Sequence, residues 1–571
     1  MNTSRFRTWG IAALRGGSYR SRHITLTACF FCLGIMLAQA QTKDLITPIP
    51  QDELSAAARD QSERITQLRQ QRTTKHLELV RIDLNVLKED SARVTIPGQR
   101  SLSFSKQSME TKDSENFIWH GKLPDVPGTA TLVVRQGNVT GTVNDGQNLY
   151  HIEPVGGGVH AIVTIDISKL PPEHPPGFEK GGRRQNDRRP QLEDRPAGSA
   201  DSPVGIDLLV AYTPSAKASV TDIDATIQLA VAEANQSYVN SGVNIKLNVV
   251  DSFQHSYTEA GKTFDTILDD FMSNTDVKNR RNTSGADLSA LIINQSDYCG
   301  MADAILASAE SAFAVVHYSC ATGYFSFAHE LGHLMGARHD PNTDSTNTPF
   351  PYGHGYQHPS SSANQRFRTI MGYACTSSNT CDPRVQFWSN PNVNFNGIAM
   401  GTATTHDNHR VLNETAGTMA GFRKRVRTGD VLWQHINGQV HYWPMLNGQR
   451  QGGNNIFTPV GPEWKLLGAG DFNGDGTDDI LWQHINGQVH YWPMLNGQRQ
   501  GGNNIFTPVG PDWKLAGAGD LNGDGTDDIL WQHINGQVHF WPMLNGQRQG
   551  GINIFTPVGP EWKLVGAASV D

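Results

Sequence analysis

The sequence predicts a mixed α/β (α+β) domain set between a β-rich N-terminal region and an all-β C-terminal repeat region. Three observations carry this expectation. Strand-like and helix-like apolar patterns alternate across residues 205–427, period-2 runs dominate the residues before them, and near-identical 49-residue repeats follow from about residue 428. The 571 residues suffice for several units that each bury a core. The net charge of −8 is unevenly spread, +4 over residues 1–204 and −12 over residues 205–571. This balance excludes a general nucleic-acid binder. No run of 18 apolar residues occurs, so a membrane-spanning helix is excluded as well.

Five arginines (Arg5, Arg7, Arg15, Arg20, Arg22) precede an apolar stretch from Ile24 to Leu37, followed by Ala38-Gln39-Ala40. A basic flank, a short apolar core and an A-x-A site predict a secretory signal over residues 1–40, and hence a secreted protein. Residues 41–170 form the β-rich region, opened by a charged helix, with alternating runs at 76–84 and 129–135. Residues 171–204 are Pro, Gly and charge with almost no apolar content, which predicts an exposed linker. Its Arg183-Arg184 and Arg188-Arg189 pairs make it a target for proteolytic processing, and its place between two folded regions favours that over a binding tail.

In the central region, residues 206–212, 243–250, 287–293 and 312–318 read as strands, the last at a sheet edge. Residues 220–240 and 263–273 read as helices, giving a mixed or mostly parallel sheet. Outside the signal the cysteines are Cys299, Cys320, Cys375 and Cys381. An even number in an exported chain predicts two disulfides with three connectivities, of which proximity in sequence favours Cys299–Cys320 and Cys375–Cys381.

The chemistry concentrates in His329-Glu-Leu-Gly-His-Leu-Met-Gly-Ala-Arg-His-Asp340. On a helix, His329 and His333 project from one face and can bind one zinc ion, while Glu330 can act as general base toward a water at the metal. Gly336 lets the chain turn and bring His339 round as third ligand. Three protein ligands leave a position open, the arrangement of a catalytic rather than a structural zinc site.

With Thr369-Ile-Met371-Gly-Tyr373 downstream, this stretch resembles the metzincin clan of zinc endopeptidases, and Asp340 after the third histidine is similar to its reprolysin-like (adamalysin-type) branch. The stretches 325–340, 368–374, 387–393 and 408–415 resemble bacterial peptidyl-Asp metallopeptidases of the Asp-N type. Phe117-Ile-Trp-His-Gly and residues 144–150 resemble a reprolysin-like propeptide, so residues 41–170 are expected to be one and residues 205–427 the catalytic domain. The resemblance implies protein or peptide substrates and a Met-turn at Met371 beneath the metal. For Tyr373 it leaves open a ligand or oxyanion-stabilising role, as in astacin- and serralysin-like relatives, or a packed aromatic. Cleavage before Asp calls for a cation in the pocket beyond the scissile bond, for which Arg366, Arg368 and Arg384 are the basic residues at hand. Residues 41–204 contain no cysteine, so a cysteine switch cannot silence the precursor. A propeptide Asp or His on the metal and simple steric cover both stay open.

Residues 428–571 hold three repeats in which Trp433, Trp482 and Trp531 align. Asp471-x-Asn473-x-Asp475 with Asp479, and Asp520-x-Asn522-x-Asp524 with Asp528, offer oxygen donors at calcium-like spacing, so up to two calcium ions are expected. The pattern resembles FG-GAP repeats of integrin-like propellers. Its tryptophans either fill the blades or present a face to a glycan or cell-surface ligand. A secreted adhesin acting through these repeats is therefore the competing reading to the zinc endopeptidase.

Overall fold

The structure is a computed structural model of the chain. It describes residues 43–49, 62–96, 101–111, 113–124, 128–174, 203–362, 365–375 and 382–423, with Glu53 and most of 431–564. The expected signal at residues 1–40 lies outside the described residues, as does the rest of the linker beyond residue 174 up to residue 202.

The N-terminal region is one antiparallel sheet of nine strands; the expected charged helix, Ser62–Gln70, does not open it but follows the first strand, Ile46–Pro48. Its strands follow one another across the sheet, except that the second strand, Thr74–Ile82, pairs with the last, Val159–Ile165. Alternation puts Phe104, Trp119, Leu132 and Tyr150 into a common core.

The central region has five strands in the order Ile245–Gln254, Val204–Tyr212, Leu288–Ile293, Phe313–His317 and Gly300–Ala302. The first four are parallel and the last is antiparallel, which is the mixed sheet expected. Phe313–His317 is not the edge, contrary to expectation. Gly300–Ala302 covers it, a strand of three residues whose pattern is too short to read. The helix Ile223–Ser241 crosses one face, started by Asp222, which accepts from the Ala225 N–H at 3.0 Å, and ended by Gly242 at φ +68°.

The N-terminal sheet docks on this same helix. Val133 packs against Ala225 and Leu229, and Arg135 pairs with Asp222 at 2.8 Å and Asp224 at 3.0 Å. Deeper in the contact Thr142 donates to the buried carboxylate of Glu233.

Beyond residue 431 the repeats build successive antiparallel sheets. The second comprises Trp464–Gly470, Asp479–His484, Val489–Trp492 and Asn503–Phe506, and the third has its counterparts 49 residues on. Trp482 and Trp531 are buried at 1% and 0% exposure, and Trp492 and Trp541 are buried beside them. These tryptophans fill the sheets' cores, whereas Trp433 and Trp562 face outward.

Candidate functional site

The helix Ser326–Leu334 is buried throughout, and it carries His329 and His333 one helical turn apart on a single face, with Glu330 next to the first. After Met335 the chain reverses at Gly336, whose φ of +103° strains any residue with a β-carbon. The reversal returns His339 to the same place. The Nε2 atoms of His329, His333 and His339 lie 2.9–3.2 Å from one another.

The outer nitrogens explain this convergence. His329 Nδ1 donates to the Ile370 carbonyl and His333 Nδ1 to the Ala337 carbonyl, both at 2.9 Å. A carbonyl only accepts, so both Nε2 atoms turn lone pairs inward. Lone pairs facing each other at 3.2 Å repel unless a cation lies among them, and an ion with the ~2.0–2.1 Å bonds of zinc to imidazole fits. Burial and then His333 hold His329 and His339 well below the ordinary histidine range, and burial pushes His333 down to about 3. Neutral imidazoles are the form that ligates.

Further residues secure the frame. His354 Nδ1 donates to the His339 carbonyl at 2.7 Å. Asp340 Oδ2 accepts from the Tyr373 backbone N–H at 2.9 Å and ties the third-histidine turn to the Met-turn. Met371 is fully buried, and a β-carbon on Gly332 would come within 3.2 Å of its sulfur and 2.6 Å of the Trp388 ring. The helix therefore needs glycine at position 332 to sit on this floor. Cys299 and Cys320 form the expected disulfide, just before strand Gly300–Ala302. Cys375 is disulfide-bonded, and Cys381 lies outside the described residues.

Tyr373 stands at the centre, its ring 4.3 Å from that of His339. The three candidate arginines separate. Arg366 is half-buried, and among the described residues no contact ties it to the histidines. Arg368 and Arg384 are buried and lie over the face of Tyr324 at 5.4 and 4.6 Å. Arg368 pairs with Asp382 at 2.6 Å and donates to the Gly372 carbonyl at 2.8 Å.

Residues 171–174 correct the expectation of an exposed linker from residue 171 onward. They run into the site, where His174 is 1% exposed and its ligand atom lies within 4.8 Å of those of His329, His333 and His339. Glu173 pairs with Arg384, and the His174 carbonyl accepts from the Tyr373 hydroxyl at 2.7 Å. The buried Arg384 guanidinium, which pairs with Glu173, outweighs the solvation that the composition favours. The proline-flanked His174 was the available signal, yet composition alone does not say which histidine returns.

In the repeats, the last acid of each loop is engaged elsewhere. Asp479 accepts from the Met494 N–H at 3.0 Å and Phe472 N–H at 3.3 Å, and Asp528 from Met543 at 3.0 Å and Leu521 at 3.1 Å. Asp475 lies outside the described residues. Among the described residues, the His, Cys, Asp and Glu side chains gathered closely enough to share an ion are the four histidines, not the loop carboxylates.

Comparison with known proteins agrees with this geometry. Residues 203–388 match metallo-peptidase family M12, and residues 471–531 match an FG-GAP-like repeat. The chain is 36% identical over 428 residues to the peptidyl-Asp metalloendopeptidase of Stenotrophomonas maltophilia (strain R551-3), covering 71% of this chain and 100% of that one. It is 38% identical over 378 residues to the enzyme of the same name from Xanthomonas campestris pv. campestris, covering 62% and 87%. A third, from Pseudomonas fragi, is 41% identical over 192 residues, covering 34% and 100%. The chain is thus a metallopeptidase, a member of the peptidyl-Asp metalloendopeptidase family.

Proposed function

We propose that this chain is a secreted zinc endopeptidase, made as a zymogen, that cleaves protein substrates at bonds N-terminal to Asp. The observation that carries the reading is the convergence of three Nε2 atoms beside Glu330, two from the buried helix Ser326–Leu334 and one from His339 beyond its turn. His329, His333 and His339 would hold one zinc ion, which when bound polarises the scissile carbonyl and acidifies water.

Glu330 takes the proton from the attacking water and delivers it to the leaving amine nitrogen, so no acyl-enzyme forms. Tyr373, whose hydroxyl donates to a peptide carbonyl, is suited to hold the developing oxyanion. Met371 supports the site from below without binding metal. The names of the relatives support the preference for Asp.

The same reading assigns residues 1–40 to a signal, 41–170 to a propeptide, 171–204 to a segment that enters the site at 171–174 and continues as a linker that is processed, 205–427 to the catalytic domain and 428–571 to the repeats. Ligand spacing alone supports up to two calcium ions in the repeat loops; a rise in their unfolding temperature with millimolar calcium tests this.

Glu330→Gln should keep its zinc and lose activity by about 10²–10⁴-fold, and full turnover would overturn the mechanism. Mass spectrometry of a protein digest should show Asp enriched at the first primed position; no enrichment would reject the specificity.

A further inference from the structure

The segment Pro171–His174 touches each working part of the site. The Cys299 N–H donates to the Pro172 carbonyl at 2.8 Å, anchoring the segment beside strand Gly300–Ala302. Glu173 reaches Arg384, the Tyr373 hydroxyl donates to the His174 carbonyl, and the His174 imidazole joins the three metal-site histidines. Its ring centroid is 5.1 Å from that of His339 and 5.6 Å from that of His333, and its Nε2 lies 4.0 Å from a Glu330 oxygen.

We infer that this segment is a built-in acidic peptide inhibitor, in which His174 takes the metal's fourth position and Glu173 fills the Arg384 pocket that receives a substrate's acidic side chain. The inference rests on the zinc-endopeptidase reading and deepens it by naming the specificity residue and the silencing ligand.

The choice of Arg384 over Arg368 follows from charge. Arg368 has a carboxylate from its own region, Asp382. Arg384 is 3% exposed, and its carboxylate comes from the segment that must leave. A guanidinium buried to that degree is costly without an anion, so departure of Glu173 leaves a site selective for another carboxylate. Tyr324 backs the cation with its ring face and accepts from Arg384 Nη1 through its carbonyl at 3.0 Å. On the metal side, a site with three imidazoles keeps one position for water or substrate. A fourth imidazole held there excludes both. The prolines on either side of Glu173-His174 favour an extended backbone and lower the entropic cost of holding the segment.

The test uses the full chain and its variants loaded with cobalt(II), whose visible spectrum reports ligand number and type. His174→Ala should alter the spectrum and raise proteolysis at least about tenfold, with Asp enriched at the first primed position. An unchanged spectrum would overturn the metal half of the inference. Adding Arg384→Gln to His174→Ala should reduce the Asp enrichment by about tenfold or more while leaving the altered spectrum in place. Undiminished enrichment would overturn the pocket half. Absence of all proteolysis in folded, loaded His174→Ala would instead remove the endopeptidase reading itself.

Because His174→Ala also empties a buried position, a second measurement adds the peptide Pro-Pro-Glu-His-Pro-Pro to that variant. It should inhibit, and replacing its Glu by Gln or its His by Ala should weaken inhibition by about tenfold or more. Equal inhibition by all three peptides, or none by any, would overturn the inference.

Discussion

A β-carbon on Gly300 would lie 2.6 Å from Cγ of Glu330. The antiparallel strand Gly300–Ala302 thus closes directly over the Glu330 carboxylate, and it can do so only because residue 300 has no side chain. Glu330 is fully buried, so it has little room to yield. Gly300→Ala should lower kcat/KM by about 10²-fold or more, within the range for loss of a positioned base. Bound zinc should stay near one per chain, because no ligand is touched. Steady-state kinetics with metal analysis checks both, and unchanged kcat/KM would mean the strand does not position the carboxylate.

The disulfide Cys299–Cys320 leads into that same strand and closes a loop with a sequence separation of 21. Replacing both cysteines by Ala should cost about 3 kcal/mol of stability, chiefly through the freed unfolded chain. Denaturant midpoints should show the loss together with weakened activity. A loss of stability with full activity would separate the disulfide from the placement of Glu330.

Asp340 accepts from the backbone N–H groups of Asn342, Thr343 and Tyr373 and from the Thr343 hydroxyl. Asp340→Ala leaves part-buried donors without this partner and should destabilise the chain by about 1–3 kcal/mol. The Met-turn loses its tie to the His339 turn, so zinc should also bind more weakly in a competition with a chelator. Unaltered zinc affinity would confine Asp340 to a purely structural role.

Burial pushes the Glu233 carboxyl up to about 7, while Thr142 and the Gly323 N–H restrain the rise. The folded chain therefore holds a proton that the unfolded chain releases near 4.5. This contribution to stability is complete below about pH 4.5 and is lost as pH rises toward 7, a change of up to about 3 kcal/mol. Burial pushes Asp287 up to about 7 as well, adding a slope of the same sign. Glu233→Gln should flatten, without abolishing, the fall in full-chain unfolding temperature over that window. An unchanged slope would show that Glu233 ionises in place.

The parts of this site legible in the sequence are those set by local geometry. The four-residue step from His329 to His333 is a helical turn, and Gly336 marks a backbone only glycine adopts readily, so His339 follows. The parallel strands were readable because their apolar runs are long. Gly300–Ala302 was not, since three residues carry no period, and its meaning lies in a contact with Glu330 thirty positions on. His174 and Glu173 escaped for a related reason. Pro, Glu and His in a polar stretch describe a solvated linker by composition, and only the tertiary arrangement supplies the metal site and Arg384 that draw them in. Arg384 was one of three arginines with equal standing in sequence, and the separation came from where Asp382 and Glu173 lie.

The most direct test of the account is the metal content of the purified chain set beside its proteolysis. One zinc per chain is expected, with loss of that zinc in His333→Ala, and in the His174→Ala chain proteolysis that disappears on chelation and returns with zinc. A chain that binds no zinc, or that hydrolyses protein equally well after complete chelation, would contradict it.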